Sequence, residues 1–142
     1  MEDFVHFEIS KKLKEKGFPQ SPDYFNYSNY YDWDGLRKIH SLSNESAWYD
    51  PNISRDNIYF APTISQVLEW MRKETKIHIT ANMHQDESED SDGSIVDEWC
   101  FWNWDVQSCI SGNILQDGDD TQYETYESAT LAGIEYVIEN LI

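Results

Sequence analysis

The stretch IHITANMHQDESEDSDGSIVDEWCFWNWDV, residues 77 to 106, decides the fold. Residues 77 to 84 alternate apolar and polar side chains, which is the period of a half-buried strand. Residues 95 to 106 place a second row of apolar side chains on one face, and the acidic run at 85 to 93 separates the two strands. The pattern predicts a long hairpin with a charged tip. The side chains expected on its buried faces are Ile77, Ile79, Ala81 and Met83 on the first strand and Cys100, Trp102, Trp104 and Val106 on the second.

Two helices flank this hairpin in the sequence. One is expected over residues 64 to 75, where Thr63 and Gln66 form a capping box before an apolar stripe at helical spacing. The other is the C-terminal helix, which is expected to be capped near Thr125 and to begin with acidic residues that favour the positive end of a helix dipole. The buried stripe of this last helix is expected to contain Leu131, Ile134, Val137, Ile138 and Leu141.

A further helix is expected near the N-terminus, over residues 5 to 18, because apolar side chains recur there at a spacing of four. Gly17 is expected to end it. The combination of Leu13, Gly17 and Phe18 fits a Schellman motif, in which glycine adopts the left-handed conformation and the next apolar residue folds back on the last turn.

Short strands are expected near residues 24 to 31, 36 to 42 and 57 to 60, because the segment PDYFNYSNYYDWDG mixes tyrosines with turn-forming residues, which is typical of strands joined by tight turns. We therefore expect a single α+β domain over residues 1 to 142. Its small antiparallel sheet, of about four to five strands, should pack against two or three helices, with a helix at the C-terminus. Four tyrosines admit two interpretations, a recognition surface or ordinary sheet packing: Tyr24, Tyr27, Tyr30 and Tyr31.

The charge of the chain is distributed unevenly. The formal net charge is −17, and all ten Lys and Arg residues lie at or before Lys76. Residues 77 to 142 contain 15 Asp and Glu and no basic residue except histidine. Ordinary surfaces mix both signs, so this one-sided field is expected to repel nucleic acid and to attract basic proteins or cations. The alternative is that the acids serve only solubility.

The residue patterns of several kinds of chemistry are missing. Cys100 and Cys109 belong to no CxxC or nucleophile motif and are expected to be reduced and buried. No phosphate-binding glycine motif occurs. His78 and His84 are six residues apart in a predicted strand, about 20 Å, which is too far for one metal ion. We expect a protein without catalytic activity, metal or cofactor.

The acidic run matches a helix-loop-helix calcium loop only in part. With Gly93 at the sixth position, Ser88, Asp90 and Asp92 occupy ligand positions one, three and five. Trp99 then falls at position twelve, where a bidentate Glu is required. A specific calcium site is not expected, whereas weak binding of divalent cations stays open.

Targeting signals are also missing from the pattern. The residues Met1, Glu2 and Asp3 do not begin a basic segment followed by an apolar run. No stretch approaches the roughly 18 apolar residues that a membrane-spanning helix needs. We expect a cytoplasmic protein that makes no contact with membranes.

Three segments of the chain resemble a family of small proteins encoded by Bacteroidetes-type bacteria and their phages and mobile elements. The segments are FEISKKLKEKGF, IYFAPTISQVLEWMRKETKIHI and YETYESATLAGIEYVIENLI, in this order. The resemblance implies an α+β fold and a mobile-element setting, and it brings no activity with it. The chain departs from the pattern at residues 85 to 92 and 107 to 122. The motif residues have the character of caps and core: Ala61, Pro62, Thr63, Trp70, Thr125 and Tyr126.

The leading functional hypothesis is that the acidic surface imitates a nucleic-acid backbone and occupies the basic groove of a nucleic-acid-binding protein, while the chain itself binds no nucleic acid. In a mobile-element setting the natural target is a host defence nuclease of the CRISPR or restriction type. The rival hypothesis is an accessory domain that binds a protein or ligand through its aromatic strands. The residues expected to contact the partner are Asp86, Glu87, Glu89, Asp90, Asp92, Asp97, Asp117, Asp119 and Asp120.

Overall fold

The computed structural model describes residues 4–20, 29–32, 35–38 and 58–142. Within these ranges the chain forms three helices and six strands, and the strands make two antiparallel sheets of three, in the orders β2-β1-β3 and β4-β5-β6. The helices are α1 (Phe7–Glu15), α2 (Ile64–Trp70, continued by a π-helical turn over Met71–Thr75) and α3 (Tyr126–Asn140). The strands are β1 (Asn29–Asp32), β2 (Gly35–Lys38), β3 (Tyr59–Phe60), β4 (Ile77–Glu89), β5 (Ile95–Ser108) and β6 (Ile114–Gln116).

The α+β class and the C-terminal helix are confirmed, with the strands divided between two small sheets instead of joined in one. The chain separates into two compact units, one ending at Trp70 and including Ile142, the other running from Met71 to Leu141. We describe each unit by itself, and the single domain over residues 1 to 142 stays a prediction. No helix of the described ranges is long and apolar enough to cross a membrane.

In the first unit, α1 ends as the sequence predicts. Gly17 has a φ of 89°, the Phe18 N–H donates to the Leu13 carbonyl at 2.9 Å, and the Gly17 N–H donates to the Lys14 carbonyl at 3.2 Å. These two bonds define a Schellman motif, and Leu13 and Phe18 are both buried. The helix begins two residues later than predicted, because Phe4 forms an isolated β-bridge with Thr63 and His6 keeps an extended backbone as the N-cap.

The predicted start of α2 is also confirmed. The Thr63 N–H donates to Gln66 Oε1 at 2.9 Å, and the Gln66 N–H donates to Thr63 Oγ1 at 3.2 Å, which closes the capping box. The helical segment spans the predicted residues 64 to 75, but its last five widen into a π-helical turn.

The first sheet contains parts of the three predicted short strands. β1, β2 and β3 overlap the predictions at 24 to 31, 36 to 42 and 57 to 60. Ile58 is buried but precedes β3, and the other residues of these predicted strands, including Tyr24 and Tyr27, lie outside the described residues. Tyr30 and Tyr31 are half-buried. The Tyr31 hydroxyl donates to the Val5 carbonyl at 2.7 Å, and burial raises its pKa. For Tyr31, sheet packing is the role that these contacts support.

The second unit is built on the predicted hairpin, which is confirmed. β4 and β5 pair from Ile77 opposite Ser108 to Glu89 opposite Ile95, and β6 adds a short strand along the other side of β5. α3 lies on the predicted apolar face. Its core against that face consists of Ile77, Ile79, Trp104, Val106, Ala129, Ile134, Val137 and Ile138.

Gly133 is the point of closest approach between α3 and the hairpin. A Cβ atom at this position would lie 2.7 Å from Ile79 Cγ2 and 3.5 Å from the Trp104 ring. Thr125 caps the helix as predicted, since its side chain accepts the Ser128 N–H. The cap therefore fixes the start of α3, and the central residue of the helix, Gly133, packs against the hairpin without a side chain.

The helix is much shorter than the hairpin that it covers. Fifteen residues of helix extend about 23 Å, whereas the 13 residues of β4 extend about 43 Å. α3 begins beside Trp102, where the Tyr126 ring packs edge-on at 5.6 Å. Within the described ranges, the hairpin beyond Trp102 has no helix over it.

Four sequence-based expectations about burial are wrong, two of them because of this mismatch. Met83 is 63% exposed, and Cys100 is an exposed free thiol, because both lie on the predicted face but beyond α3. Cys109 is also free and exposed, since it lies in the turn after β5 and not in the core. Leu141 is 36% exposed because it follows the last residue of α3.

We expect the substitution Gly133→Ala to destabilise the protein. In an exposed helix this change gains about 1 kcal/mol, but here the new methyl group meets Ile79, so we expect a loss of about 1 to 3 kcal/mol in the free energy of unfolding. Urea unfolding measures it. In the double variant Ile79→Ala with Gly133→Ala the added methyl has room, so strictly additive losses would contradict this contact.

We expect both thiols to react in the native protein. Without denaturant, a chromogenic thiol reagent should label Cys100 and Cys109, and the variant Cys100→Ser should lose half of the signal. Labelling that appears only after unfolding would contradict the exposure of the two thiols.

Candidate functional site

The distal part of the hairpin, residues 85 to 99, forms what we call the acidic arm. Each of its residues is exposed except Ser88, which is half-buried. The arm contains no Lys or Arg, so none of its acids has a basic neighbour within the arm. Its seven carboxylates belong to Asp86, Glu87, Glu89, Asp90, Asp92, Asp97 and Glu98.

The charge density of the arm approaches that of DNA. From the pair of Asp86 and Trp99 to the turn at Asp90 the hairpin extends about five residues, or about 17 Å. Seven charges over this length give roughly one per 2.5 Å, compared with one per about 1.7 Å of axis in double-stranded DNA. The five acids of residues 85 to 93 were expected between the strands, but three of them lie within β4 itself: Asp86, Glu87 and Glu89.

One acid of the arm shapes its tip. Asp90 Oδ1 accepts the N–H groups of Asp92 at 2.9 Å and Ser94 at 3.0 Å, and Gly93 turns the chain with a φ of 79°. The backbone of Asp90 also pairs with that of Ser94. Asp90 therefore holds the turn, whereas the carboxylate of Asp92 has no such contact within the described residues.

Two acids face each other across the arm. Glu87 and Glu98 occupy directly opposite positions in the register of β4 and β5. Like charges at such a position destabilise a sheet. With Gln85 and Asp86 they line a surface recess of about 300 Å³. The arm thus carries a concave, negatively charged surface, and the repulsion between its opposed acids destabilises the folded hairpin.

Apolar side chains accompany the acids. Trp99 is 39% exposed and lies opposite Asp86, and its Nε1 donates to Gln122 Oε1 at 3.1 Å. Ile95 and Val96 are more than half exposed. These side chains offer apolar contact area beside the charges, which is what converts electrostatic attraction into affinity.

The second acidic segment lies beside the base of the arm. Asn103 Nδ2 donates to the Asp119 carbonyl at 3.0 Å, and Tyr123 pairs through its backbone with Trp102. Together with the bond from Trp99 to Gln122, these contacts lay residues 119 to 123 along β5 between Asn103 and Trp99. The exposed residues Asp117, Asp119 and Asp120 therefore lie in a loop on the outer side of β5, next to the base of the arm.

Asp119 differs from its neighbours because its carboxylate is engaged. Oδ2 accepts the Tyr123 hydroxyl at 2.7 Å, and Oδ1 accepts the Thr121 N–H at 3.0 Å. Burial, then the bond to Asp119, raises the pKa of Tyr123, so this hydroxyl stays a donor at neutral pH. The Asp119 carboxylate therefore stabilises the conformation of the loop, whereas Asp117 and Asp120 are exposed residues of the same loop.

The structure thus brings the predicted acids to one hairpin and its adjoining loop, and whether they bind a partner stays a prediction. Sequence reasoning omitted Glu98 and Trp99 from the site. Glu98 directly follows Asp97 and had the same charge signal. Trp99 alternates out of phase with the apolar row at 100, 102 and 104, and this phase indicated the opposite, exposed face.

Comparison with known proteins finds no matching family, no similar curated protein and no similar solved structure. The family resemblance and its mobile-element setting accordingly stay predictions.

We expect the substitution Glu98→Gln to stabilise the protein. It removes the repulsion from Glu87, so the free energy of unfolding should rise by about 0.2 to 1 kcal/mol at low salt. The matched control is Asp97→Asn, which removes the same charge from a position opposite Ser88. Thermal unfolding at low and high salt compares the two variants. An equal effect of both would indicate general repulsion in place of this pair.

Proposed function

We propose that this chain is a non-catalytic binding protein whose acidic arm occupies the basic, nucleic-acid-binding groove of another protein. The observation that carries the proposal is the row of seven exposed carboxylates, without a basic residue, on a hairpin that extends beyond its covering helix. A groove built for phosphates at DNA spacing attracts a carboxylate row of similar density. The arm itself repels nucleic acid.

The geometry of the arm favours entry into a groove. A two-stranded ribbon is narrow, and on the arm both of its faces are exposed. Charge mainly accelerates the encounter, whereas Trp99, Ile95 and Val96 supply the apolar contacts that slow dissociation. The repulsion between the opposed carboxylates of Glu87 and Glu98 is relieved when basic side chains of a partner come between them.

The proposal extends to a class of target. In the mobile-element setting that the sequence resemblance implies, the partner is a host defence nuclease of the CRISPR or restriction type, and the chain acts in the cytoplasm as its inhibitor by occupying the groove. The free thiols Cys100 and Cys109 fit a reducing compartment.

The test is affinity capture from a bacterial lysate with a salt gradient, using two variants of equal charge. The arm variant carries Asp86→Asn, Glu87→Gln, Glu89→Gln, Asp92→Asn and Asp97→Asn, and it keeps Asp90 because that residue holds the turn. The control removes five exposed acids elsewhere, with Gln at Glu8, Glu15, Glu74, Glu124 and Glu127.

We expect the wild type and the control to retain one nucleic-acid-binding protein that elutes between about 50 and 200 mM salt and is displaced by its own DNA or RNA. The arm variant should fold and not retain it. Equal retention by both variants would mean that net charge and not the arm is responsible. A retained partner that salt and nucleic acid do not release would contradict the proposal.

The rival function is an accessory domain that binds through apolar surface, and one observation favours it. Near β6, the side chains of Ile110, Ile114 and Leu115 are 82%, 59% and 44% exposed. A complex formed there would persist at high salt, because apolar contacts are not screened. The substitution Ile114→Ser would weaken it, whereas the arm variant would bind normally.

A further inference from the structure

The face of the hairpin that carries α3 continues beyond the start of the helix. Residues directly opposite each other in paired strands share a face of the sheet. The pair of Ile79 and Val106 is buried against α3, and the pairs that follow at every second residue lie on the same side. We call the outer part of this side the open face. It consists of Met83 with Trp102, Gln85 with Cys100, and Glu87 with Glu98.

The part of the open face next to α3 is apolar. Met83 is 63% exposed, Cys100 is exposed, and Trp102 is half-buried. Tyr126, the first residue of α3, packs edge-on against Trp102 and is itself 42% exposed. Neighbouring apolar side chains at a surface are typical of a contact site, because covering them removes apolar area from water.

The part of the open face farther from α3 is acidic. Glu87 and Glu98 oppose each other there, and with Gln85 and Asp86 they line the recess of about 300 Å³. The hairpin contains no Lys or Arg, so its own residues supply no such cation to this recess. The open face thus offers apolar contact area at one end and attracts positive charge at the other.

The dimensions of the open face suit a helix. α3 already shows that a helix packs on this side of the hairpin. From Met83 to Glu89, β4 extends seven residues, about 23 Å, which is the length of about 15 residues of helix. An added strand, in contrast, pairs with the edge of a sheet and extends it sideways, so it does not cover the face.

From these features we infer that the open face binds a basic amphipathic helix of the partner protein, laid on the hairpin in the same layer as α3. Its apolar side chains cover Met83, Cys100 and Trp102, and a Lys or Arg lies between Glu87 and Glu98. Charge complementarity selects this occupant, because a neutral or acidic helix leaves the opposed glutamates in repulsion. The inference deepens the proposed function and rests on it for the identity of the partner.

The experiment is an NMR titration of the full chain, with ¹³C in the methionine methyl groups. The probe is a capped 15-residue peptide of Leu and Lys whose Leu residues follow helical spacing. The Met83 methyl signal, assigned with Met83→Leu, should shift and saturate, whereas that of the fully buried Met71 should stay in place. A peptide of the same composition in which Leu and Lys alternate is amphipathic only as a strand and should bind at least about tenfold more weakly.

Two matched pairs of variants locate the contact through the fluorescence anisotropy of a labelled helical peptide. Met83→Ser should weaken binding about tenfold, because it removes apolar area that the helix covers. Its control, Ile114→Ser, removes a similarly exposed side chain from β6 and should change nothing. Glu98→Gln should weaken binding about two- to fivefold at low salt. Asp97→Asn removes the neighbouring charge from the opposite face and should have a smaller effect.

Three results would overturn the inference. Equal losses within each pair of variants would mean that apolar area and charge in general, and not the open face, bind the peptide. Equal binding of the alternating peptide would exclude the helix. A Met83 methyl signal that shifts with protein concentration alone would assign the open face to a second copy of the chain.

The inference and the proposed function fail separately. If neither peptide moves the Met83 signal while lysate capture still depends on the arm, the open face binds no helix and the proposed function stands. If the helical peptide binds as expected while the wild type retains no nucleic-acid-binding protein, the proposed function fails and the helix site stands.

Discussion

The contact of α3 with the β4–β5 hairpin, made close by the missing side chain at Gly133, is the constraint on which the second unit depends. It buries the apolar row from Ile77 to Trp104, which is the largest favourable term available to a unit of this size. The helix begins at Tyr126, beside Trp102. Strands gain more than twice as much length per residue as helices do, so a helix of similar residue count leaves the outer hairpin uncovered.

Much of this arrangement could be predicted from local patterns. The alternation at 77 to 84, the capping box of Thr63 and Gln66 and the glycine at position 17 each depend on residues within a few positions of one another, and each is confirmed. Burial was predicted less well. Cys100 alternates in phase with Trp102 and Trp104, and only the position of α3 along the hairpin separates the covered residues from the exposed ones.

The candidate site, too, could be predicted from the sequence only in part. Its acids could be recognised in the sequence as a run of charge. Their positions next to one another depend on the register of the strands, which the sequence alone does not reveal. A surface cavity of about 280 Å³, lined by Trp104, Tyr123 and Tyr136, could not be predicted, because these residues come from β5, a loop and α3 and no local spacing relates them. The bond from Trp99 to Gln122 spans 23 residues and places the second acidic segment beside the first.

The pairing order of the second sheet has a consequence for how copies of the chain meet each other. Among the described residues β4 is an outer strand, and beyond Trp102 the outer side of β5 has no partner either, so the arm presents two open backbone edges next to Ile95 and Val96. Such edges template fibril-like pairing between molecules unless charge keeps them apart. The carboxylates do this at neutral pH, and the sequence pI is about 4.3. Acidification toward that value removes the colloidal barrier, so the arm becomes the segment through which self-assembly starts.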